Sequence, residues 1–493
     1  MPKECVYYNR RALIWALLGI AFVCMVMKVT AGIGSVVLFA FVFGALGKNK
    51  SEWLLYSLLM ITCITVANNN FAPKGFVFTI VARAIYLLLA IVMTLQLTAQ
   101  RRTKLLSSFL LLMLYVAYMT LVSAYGWNPT ISYLKLLLYV FVFFAFYSVT
   151  NAVAMRPQVN GQVLRSVLLS FMIFFILGSV VLLFFPGYAT MGADYYISRG
   201  IAIPEGSLFM GMTDHSQSLG TMMAMMGVLL VSDLLFSVRR WDKLYILLIG
   251  CVVGLIFKSG SRTAMGTFLV GCSMASLLFL NVRGVASRWR ARASSVLLIG
   301  GVIVGLVIMI TPSMRSKIVS FVYKYKGEEV AKEAQTFDNL ISSRQGLIDN
   351  AMENFRDSPW IGNGFQVSLR YKNFEATSWR QLLSAPVEKG VWISAVLEEG
   401  GVFGMALFLV FLCATYYSLL KYRAYVGLVA LIAFTTVNLG EFTFFSMSSS
   451  GGFFWSMVFT GVALDAQRLK EDCLRRQMAF QRPVTVSAQG YRF

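Results

Sequence analysis

Apolar stretches of about 15–25 residues follow one another along most of the 493-residue chain, and short polar connections separate them. Segments of this length and composition are typical of membrane-spanning helices, and about 14 of them are predicted. Their approximate bounds are 12–28, 31–46, 53–68, 76–98, 105–123, 131–150, 163–184, 216–236, 244–257, 262–280, 295–311, 401–420, 424–440 and 451–465. The pattern therefore predicts an all-α integral membrane protein.

Two connections, 185–215 and 312–400, are much longer than the others. The second is predicted to form one large, mainly helical extracytoplasmic loop domain. Within it, SSRQGLIDNAMENFRDSP has the apolar stripe of an amphipathic helix, with Ser342 or Ser343 as its N-cap. PVEKGVWISAVLEEGG predicts a second short helix that ends at Gly400 and Gly401. The predicted organisation is helices 1–11 in 1–311, the loop domain in 312–400, helices 12–14 in 401–465, and a cytoplasmic tail in 466–493.

The chain carries a net charge of +21, and much of the excess lies in alternate connections between the predicted spans. By the positive-inside rule, this asymmetry places both termini in the cytoplasm and the two long loops outside. Orientation therefore explains the charge, and no nucleic-acid partner is expected. The seven cysteines are scattered without disulfide or metal-ligand spacing, and nucleotide-binding motifs are absent. Neither a metal nor a cofactor is predicted, and the expected surroundings are membrane lipids.

The stretch KSGSRTAMG places Lys258 and Arg262 at the outer start of a predicted span. Charges at such a position are costly, and they are candidates for function by default. A helix N-terminus with an adjacent arginine favours anions such as phosphate. The alternative is that these side chains simply extend to the membrane surface. The stretch indicates a binding site for a lipid-linked phosphate.

Other outer-side residues are candidates for the same substrate. Arg344 lies on the predicted loop helix, although it could equally be an ordinary surface charge. Further phosphate-binding candidates are Arg199, Arg370 and Arg380, and candidates for stacking on sugars are Tyr195, Tyr196, Trp360 and Trp379. Anchoring at the membrane interface would explain the four aromatic residues equally well.

Two residues are candidates for acid–base chemistry. His215 is the only histidine and lies at the outer start of a predicted span, where it could act as a base, donate to phosphate, or simply cap the helix. Glu388 lies where the large loop returns to the membrane, and its carboxylate could deprotonate a sugar hydroxyl. It could instead pair with Lys389.

Three stretches in this order resemble the O-antigen ligase and O-antigen polymerase superfamily of bacterial membrane glycosyltransferases. They are KSGSRTAMGTFLVG, SSRQGLIDNAMENFRDSPWIGNGF and VEKGVWISAVLEEGGVFGMALFLV, within a resemblance over roughly residues 200–420. The resemblance implies a role for Arg262 and Arg344 in holding a diphosphate. Many ligases carry a His-Asn pair where this chain has Gly390 and Val391, so Glu388 replaces histidine as the first candidate base and His215 is the second.

The resemblance further implies the reaction. A glycan moves from undecaprenyl pyrophosphate to a sugar hydroxyl at the outer face of the bacterial cytoplasmic (inner) membrane, by an inverting, metal-independent displacement. The missing histidine favours a polymerase, which extends a lipid-linked chain, over a ligase, which uses lipid A-core as acceptor. A polysaccharide chain-length regulator is a candidate partner. A transporter or flippase for the same lipid-linked glycan is the alternative of another class, but it would favour internal repeats and charges near the bilayer midplane.

Overall fold

The structure is a computed structural model. It describes residues 8–29, 51–68, 76–100, 106–155, 161–190, 209–236, 242–281, 338–367, 389–447 and 450–480. Within these ranges all regular elements are helices, accompanied by two isolated β-bridges, Ala67 with Thr213 and Thr190 with Phe209. The predicted spans 31–46 and 295–311 lie outside the described residues.

The described chain forms helices at every remaining predicted span. They are α1 (Arg10–Val29), α2 (Ser51–Val66), α3 (Phe76–Gln100), α4 (Leu106–Tyr125), α5 (Pro129–Met155), α6 (Gly161–Leu182), α8 (Ser216–Phe236), α9 (Lys243–Ser259), α10 (Arg262–Asn281), α12 (Trp392–Lys421), α13 (Tyr425–Val437) and α14 (Ser450–Phe480). A four-residue helix, α7 (Pro186–Ala189), and the loop helix, α11 (Asp338–Asp357), complete the set for the described ranges.

Six helices of the described chain are long and apolar enough to cross a membrane. The qualifying segments are Ser108–Tyr125, Pro129–Ala154, Gly161–Leu182, Ser216–Phe236, Arg262–Asn281 and Trp392–Lys421. Three shorter apolar helices, Glu52–Val66, Val81–Val92 and Tyr425–Val437, accompany them. The chain is a polytopic membrane protein whose regular elements are helices in the described ranges, while the number of 14 spans stays a prediction.

Helix α8 forms the centre of the half of the bundle that carries the KSGSR stretch. It is buried along its whole apolar length and packs against α9, α10, α13 and α14. Its glycines allow close approach, because a Cβ at Gly227 would meet Phe268 of α10 and Val252 of α9. Consequently α9 and α10 both lie along α8 while making little contact with each other beyond their connecting turn.

Contacts near the ends of the helices identify the two ends of the bundle. At the end that we call the loop end, Asn68 donates to the carbonyl of Met212, and Trp127 donates to that of Asn363. At the opposite end, called the basic end, Gln467 donates to the carbonyl of Val153. A buried ion pair also lies towards this end, where Arg165 Nε is 3.4 Å from the carboxylate of Asp233. All three stretches that carry the family resemblance have described residues at the loop end.

Two predicted boundaries differ from the structure. Helix α11 begins at Asp338, so Ser342 and Ser343 lie inside the helix and the prediction that one of them caps it was wrong. Its predicted end is confirmed, because the helix stops at Asp357, just before Ser358 and Pro359. At the C-terminal end of the chain, α14 continues to Phe480, and the predicted start of the tail at residue 466 falls within it.

Helix α12 is broken at Gly401, where the backbone has φ +61° and ψ −165°. The break frees backbone groups that a continuous helix would satisfy itself. The turn after α11 supplies the missing partners on one side: Val402 N donates to the carbonyl of Pro359, and Phe403 N to that of Trp360. Residues just after the loop helix therefore substitute for the missing helical turn.

The other side of the break is completed in the same way. Asn363 N donates to the carbonyl of Glu398 and Gly364 N to that of Glu399, each at 3.0 Å. The hydroxyl of Tyr118 on α4 donates to the carbonyl of Gly400 at 2.8 Å. Backbone approaches this close leave no room for side chains, since a Cβ at Gly362 would meet the carbonyl of Glu399. We call residues 358–364 together with the break the clasp.

We predict that Gly401→Ala destabilises the protein strongly. The substitution forces a non-glycine residue to φ +61°, and its Cβ would meet the backbone of Trp360. Strain of this kind alone costs about 1–3 kcal/mol. Thermal unfolding of the purified protein in detergent should show a clearly lower midpoint.

Gly346→Ala is the matched control for this measurement. Gly346 lies within α11, and a Cβ there meets nothing within 4 Å. Replacing a helical glycine with alanine gains up to about 1 kcal/mol, so this variant should unfold at the wild-type temperature or above it. Equal midpoints for the two variants would contradict the role that we assign to the clasp.

Candidate functional site

The KSGSR stretch forms a tight turn between α9 and α10. Gly260 has φ +67°, the left-handed conformation that glycine adopts readily after the last helical residue. Ser261 then caps α10, because its Oγ accepts a hydrogen bond from Ala264 N at 3.3 Å. Ser259 Oγ accepts from Ser261 N and donates to the carbonyl of Ile256. Both hydroxyl groups are buried and serve the turn.

The turn sets the positions of the two predicted cations. Arg262 is the first residue of α10 and is partly exposed, while Lys258 lies in the last turn of α9 and is exposed. The N-terminus of α10 adds the positive end of a helix dipole beside the guanidinium group. Positive charge beside a helix N-terminus favours an anion such as a phosphate.

Small residues on two other helices bring their ends to this turn. A Cβ at Gly220 of α8 would meet Ser259 and Ser261 at 2.6 Å, and one at Gly440, after α13, would meet Thr263. The start of α8 and the end of α13 therefore lie directly against the turn at residues 258–262, which we call the Ser-Arg turn. His215 immediately precedes α8, so it lies on a helix start adjoining that of Arg262.

His215 acts as the N-cap of α8. Its Nδ1 accepts a hydrogen bond from Gln217 N at 3.1 Å, so Nδ1 carries no proton in this arrangement. A neutral imidazole then bears its proton on Nε2 and presents a donor there. The bond from Gln217 N occupies Nδ1, so this nitrogen is not available to take a proton from an acceptor.

A buried cluster of charged side chains lies beside the clasp, and we call it the lysine cluster. Lys389 Nζ lies 3.1 Å from Glu398 Oε2 and 2.9 Å from Glu399 Oε1, and it donates to the carbonyl of Val367 at 2.8 Å. The ammonium group therefore forms two ion pairs and one hydrogen bond. Asn354 on the loop helix completes the cluster, because its Nδ2 donates to Glu398 Oε1 at 2.7 Å.

The lysine cluster is deeply buried, with side-chain exposures of 2% for Lys389, 1% for Glu398 and 0% for Glu399. Burial alone would lower the pKa of Lys389, but the two neighbouring carboxylates outweigh it and raise the pKa above its ordinary value. The neighbouring carboxylates therefore favour the protonated form of Lys389. It is a structural counter-ion, and it is unsuited to act as a base.

A second lysine approaches the same turn from α5. Lys135 Nζ lies 3.4 Å from the carbonyl of Gln366, the residue before the carbonyl that Lys389 binds. Gln366 has φ +52°, an uncommon conformation for a residue other than glycine. This strained turn points two successive carbonyl groups at two ammonium groups. The loop residues after α11 are thus held by the bundle from two sides.

Asn438 connects the lysine cluster with the Ser-Arg turn. Its carbonyl accepts from Trp392 N at the start of α12, and its Oδ1 accepts from Thr443 N and Phe444 N. Gly440, two residues further on, is the residue that contacts Thr263. Residues 438–444 therefore lie between the two features and fix one relative to the other.

Residues 247–409 match the family model described as O-antigen ligase, which is 163 of the 493 residues. This match confirms the resemblance to the O-antigen ligase and polymerase superfamily. No curated protein matches the chain.

The O-antigen ligase match contains the main features of the site. It begins within α9 and includes the Ser-Arg turn, α11, the clasp and the lysine cluster, and it ends within α12. A ligase- or polymerase-type membrane enzyme is indicated, with a lipid-linked glycan and an acceptor as its general substrates. His215 and Asn438 lie outside the matched residues.

The structure locates part of the predicted site. Arg262, Lys258 and His215 lie at the loop end, and Arg344 lies on α11, whose backbone is described at that position. Trp360 belongs to the clasp, is 62% exposed and has its ring 5.8 Å from that of Phe403. The other predicted residues, Arg199, Arg370, Arg380, Tyr195, Tyr196, Trp379 and Glu388, lie outside the described residues.

The lysine cluster and the cap made by Asn438 were not predicted as parts of the site. The two adjacent glutamates of LEEGG were the available signal, because buried carboxylates need a cation or several donors nearby. No group of three or more His, Cys, Asp or Glu side chains in the described ranges is placed to hold a metal ion.

We predict that asparagine can replace His215 as the N-cap of α8, whereas alanine cannot. His215→Ala removes the cap of α8 and should cost about 1 kcal/mol of stability, whereas asparagine, itself a good N-cap, should largely restore the unfolding midpoint. Thermal unfolding of both variants measures this difference. Identical midpoints for the alanine and asparagine variants would contradict the capping role.

Proposed function

We propose that the protein is a glycosyltransferase that moves a glycan from undecaprenyl pyrophosphate to a sugar hydroxyl. The O-antigen ligase match supports this function, because ligases and polymerases of the superfamily act on lipid-linked glycans. The single observation that carries the assignment of the site is the position of Arg262 within that match, at the N-terminus of α10.

The proposed reaction is a single inverting displacement. The acceptor oxygen attacks the anomeric carbon, the bond from that carbon to the pyrophosphate oxygen breaks, and the hydroxyl proton passes to a base. Negative charge grows on the departing pyrophosphate, where Arg262, Lys258 and Arg344 are proposed to bind it. Fixed donors directed at developing charge contribute about 3–4 kcal/mol each in comparable sites. With this many cations, no metal ion is required.

Glu388 is the proposed base, and the outward-facing side of the inner membrane is the proposed location of the reaction. Glu388 directly precedes Lys389, whose side chain is fixed at the loop end. The cap geometry of His215 favours a donor to phosphate, which leaves the carboxylate as the first candidate base. Cytoplasmic termini and a polysaccharide chain-length regulator as partner remain parts of the same proposal.

Polymerase is favoured over ligase. Gly390 and Val391 stand where many ligases carry a His-Asn pair, and neither residue can accept a proton. A flippase is the less favoured alternative, because the family match indicates an enzyme and the candidate charges gather at one end of the bundle.

We predict that Arg262→Ala lowers turnover about 100- to 1,000-fold, because the departing pyrophosphate loses a fixed cationic donor. Purified protein in lipid vesicles would receive undecaprenyl-pyrophosphate-linked repeat units, and their consumption and products would be followed by chromatography. Arg262→Lys should retain part of the activity, since it keeps the charge but loses bidentate binding. Arg11→Ala, an exposed arginine at the basic end, is the matched control and should act like wild type.

The assignment of this site fails if Arg262→Ala turns over repeat units at the wild-type rate. If the wild-type protein consumes no lipid-linked repeat units at all, the enzymatic function itself is wrong. Movement of intact substrate between the two leaflets without chemical change would instead identify a flippase.

A surface-polysaccharide gel from a deletion strain should distinguish polymerase from ligase. For a polymerase, the long ladder disappears and single repeat units stay attached to lipid A-core. For a ligase, all core-attached glycan disappears and lipid-linked polymer accumulates. We expect the pattern of a polymerase. The pattern of a ligase would show that the protein is a ligase and not a polymerase.

A further inference from the structure

The lysine cluster connects the loop helix α11 to the helix α12 through a buried side-chain contact. Asn354 belongs to α11, whereas Glu398 and Glu399 belong to α12 and Lys389 precedes it. The Nδ2 atom of Asn354 is 2.7 Å from Glu398 Oε1, and Asn354 is only 7% exposed. This is the polar side chain by which the described part of the loop helix reaches the cluster.

The same contact is supported by the backbone of the clasp. Asn363 Nδ2 donates to the carbonyl of Asn354 at 2.9 Å, while its own N–H donates to the carbonyl of Glu398. Asn363 therefore bonds both to the end of α11 and to the last turn of α12 before the break. Neither segment can shift without loss of these bonds.

The contacts of Asn354 fix the C-terminal end of α11. Arg344 and Asn354 belong to the same uninterrupted helix, and ten residues of helix separate them by about 15 Å. Rotation at Asn354 would therefore move the backbone of Arg344. On the other side of the cluster, Lys389 is covalently next to Glu388.

We propose that Asn354, Glu398 and Lys389 are positioning residues that fix α11, and with it the backbone of Arg344, relative to Arg262. This inference rests on the proposed function for the roles of Arg344 and Arg262. It assigns no contact with substrate to the three positioning residues. Their buried hydrogen bonds and ion pairs orient the loop, and the loop carries the reacting groups.

Asn354→Ala tests the proposal by two measurements on the full-length protein. Hydrogen exchange of residues 338–367 should become about 10- to 100-fold faster, because a buried hydrogen bond to a charged group is lost. With lipid-linked repeat units as substrate, kcat/KM should fall about 10-fold or more, with KM for the donor raised. Glu353→Ala, at the exposed neighbouring position, is the matched control and should change neither quantity.

The double substitution Asn354→Asp with Glu398→Gln provides the rescue. It reverses the direction of the hydrogen bond and keeps the same net charge beside Lys389. Asn354→Asp alone places a third carboxylate in the cluster and should be worse than alanine. The double variant should recover at least half of the lost protection and activity, because a positioning contact needs only the bond and the charge.

Each outcome decides one claim. Unchanged exchange in Asn354→Ala overturns the anchoring of the loop helix. Faster exchange with unchanged kcat/KM overturns the positioning role. Faster exchange that the double variant reverses, together with a reversed change in kcat/KM, supports it. If wild-type protein turns over no lipid-linked substrate, the proposed function fails, whereas the exchange measurement still tests the anchor.

Discussion

A membrane helix that breaks at Gly401 leaves backbone N–H and C=O groups that lipid cannot satisfy. The rest of the loop end depends on how this chain solves that problem. Residues 358–364 are drawn against the break and bond both of its sides, from Pro359 and Trp360 to Asn363 and Gly364. As a result, a loop that the sequence places outside the membrane is tied by its backbone to a helix inside it.

The same constraint explains the buried charges. Glu398 and Glu399 occupy the last turn before the break, where both carboxylates are removed from water. An uncompensated buried charge costs several kcal/mol, so Lys389 and Asn354 are needed where they lie. Replacing the cluster with apolar residues could give equal stability, but it would not fix the direction of the loop helix. The charged cluster therefore contributes more to the orientation of the loop helix α11 than to the stability of the protein.

Within the described ranges, local sequence signals predicted most of the membrane helices but not the contacts between them. Apolar length predicted α8 with its observed bounds, and Gly400 with Gly401 predicted the break in α12. These are local signals, because each depends on consecutive residues. The start of α11 was misplaced since Ser342 and Ser343 are good caps in isolation, while the helix in fact extends back to Asp338.

The contacts of Lys389 could not be predicted in the same way. It was considered as a partner for its neighbour Glu388. Its described carboxylate partners, Glu398 and Glu399, are nine and ten residues away in sequence and come close through the helical start of α12. The role of Asn438 was even harder to predict, because its bonds to Trp392, Thr443 and Phe444 join segments that no sequence motif links. Contacts of this kind depend on how the helices pack, so they can be identified only from the structure.

Packing also limits which residue can serve as the base. His215 uses Nδ1 to cap α8, and the proton that remains on Nε2 makes it a donor. Lys389 lies against two carboxylates that raise its pKa, so it holds its proton. Neither Nδ1 of His215 nor the ammonium group of Lys389 is therefore suited to take a proton from an acceptor. The proposed reaction needs another base, and Glu388 stays the proposed one, with Arg262 and Lys258 proposed to bind the departing pyrophosphate.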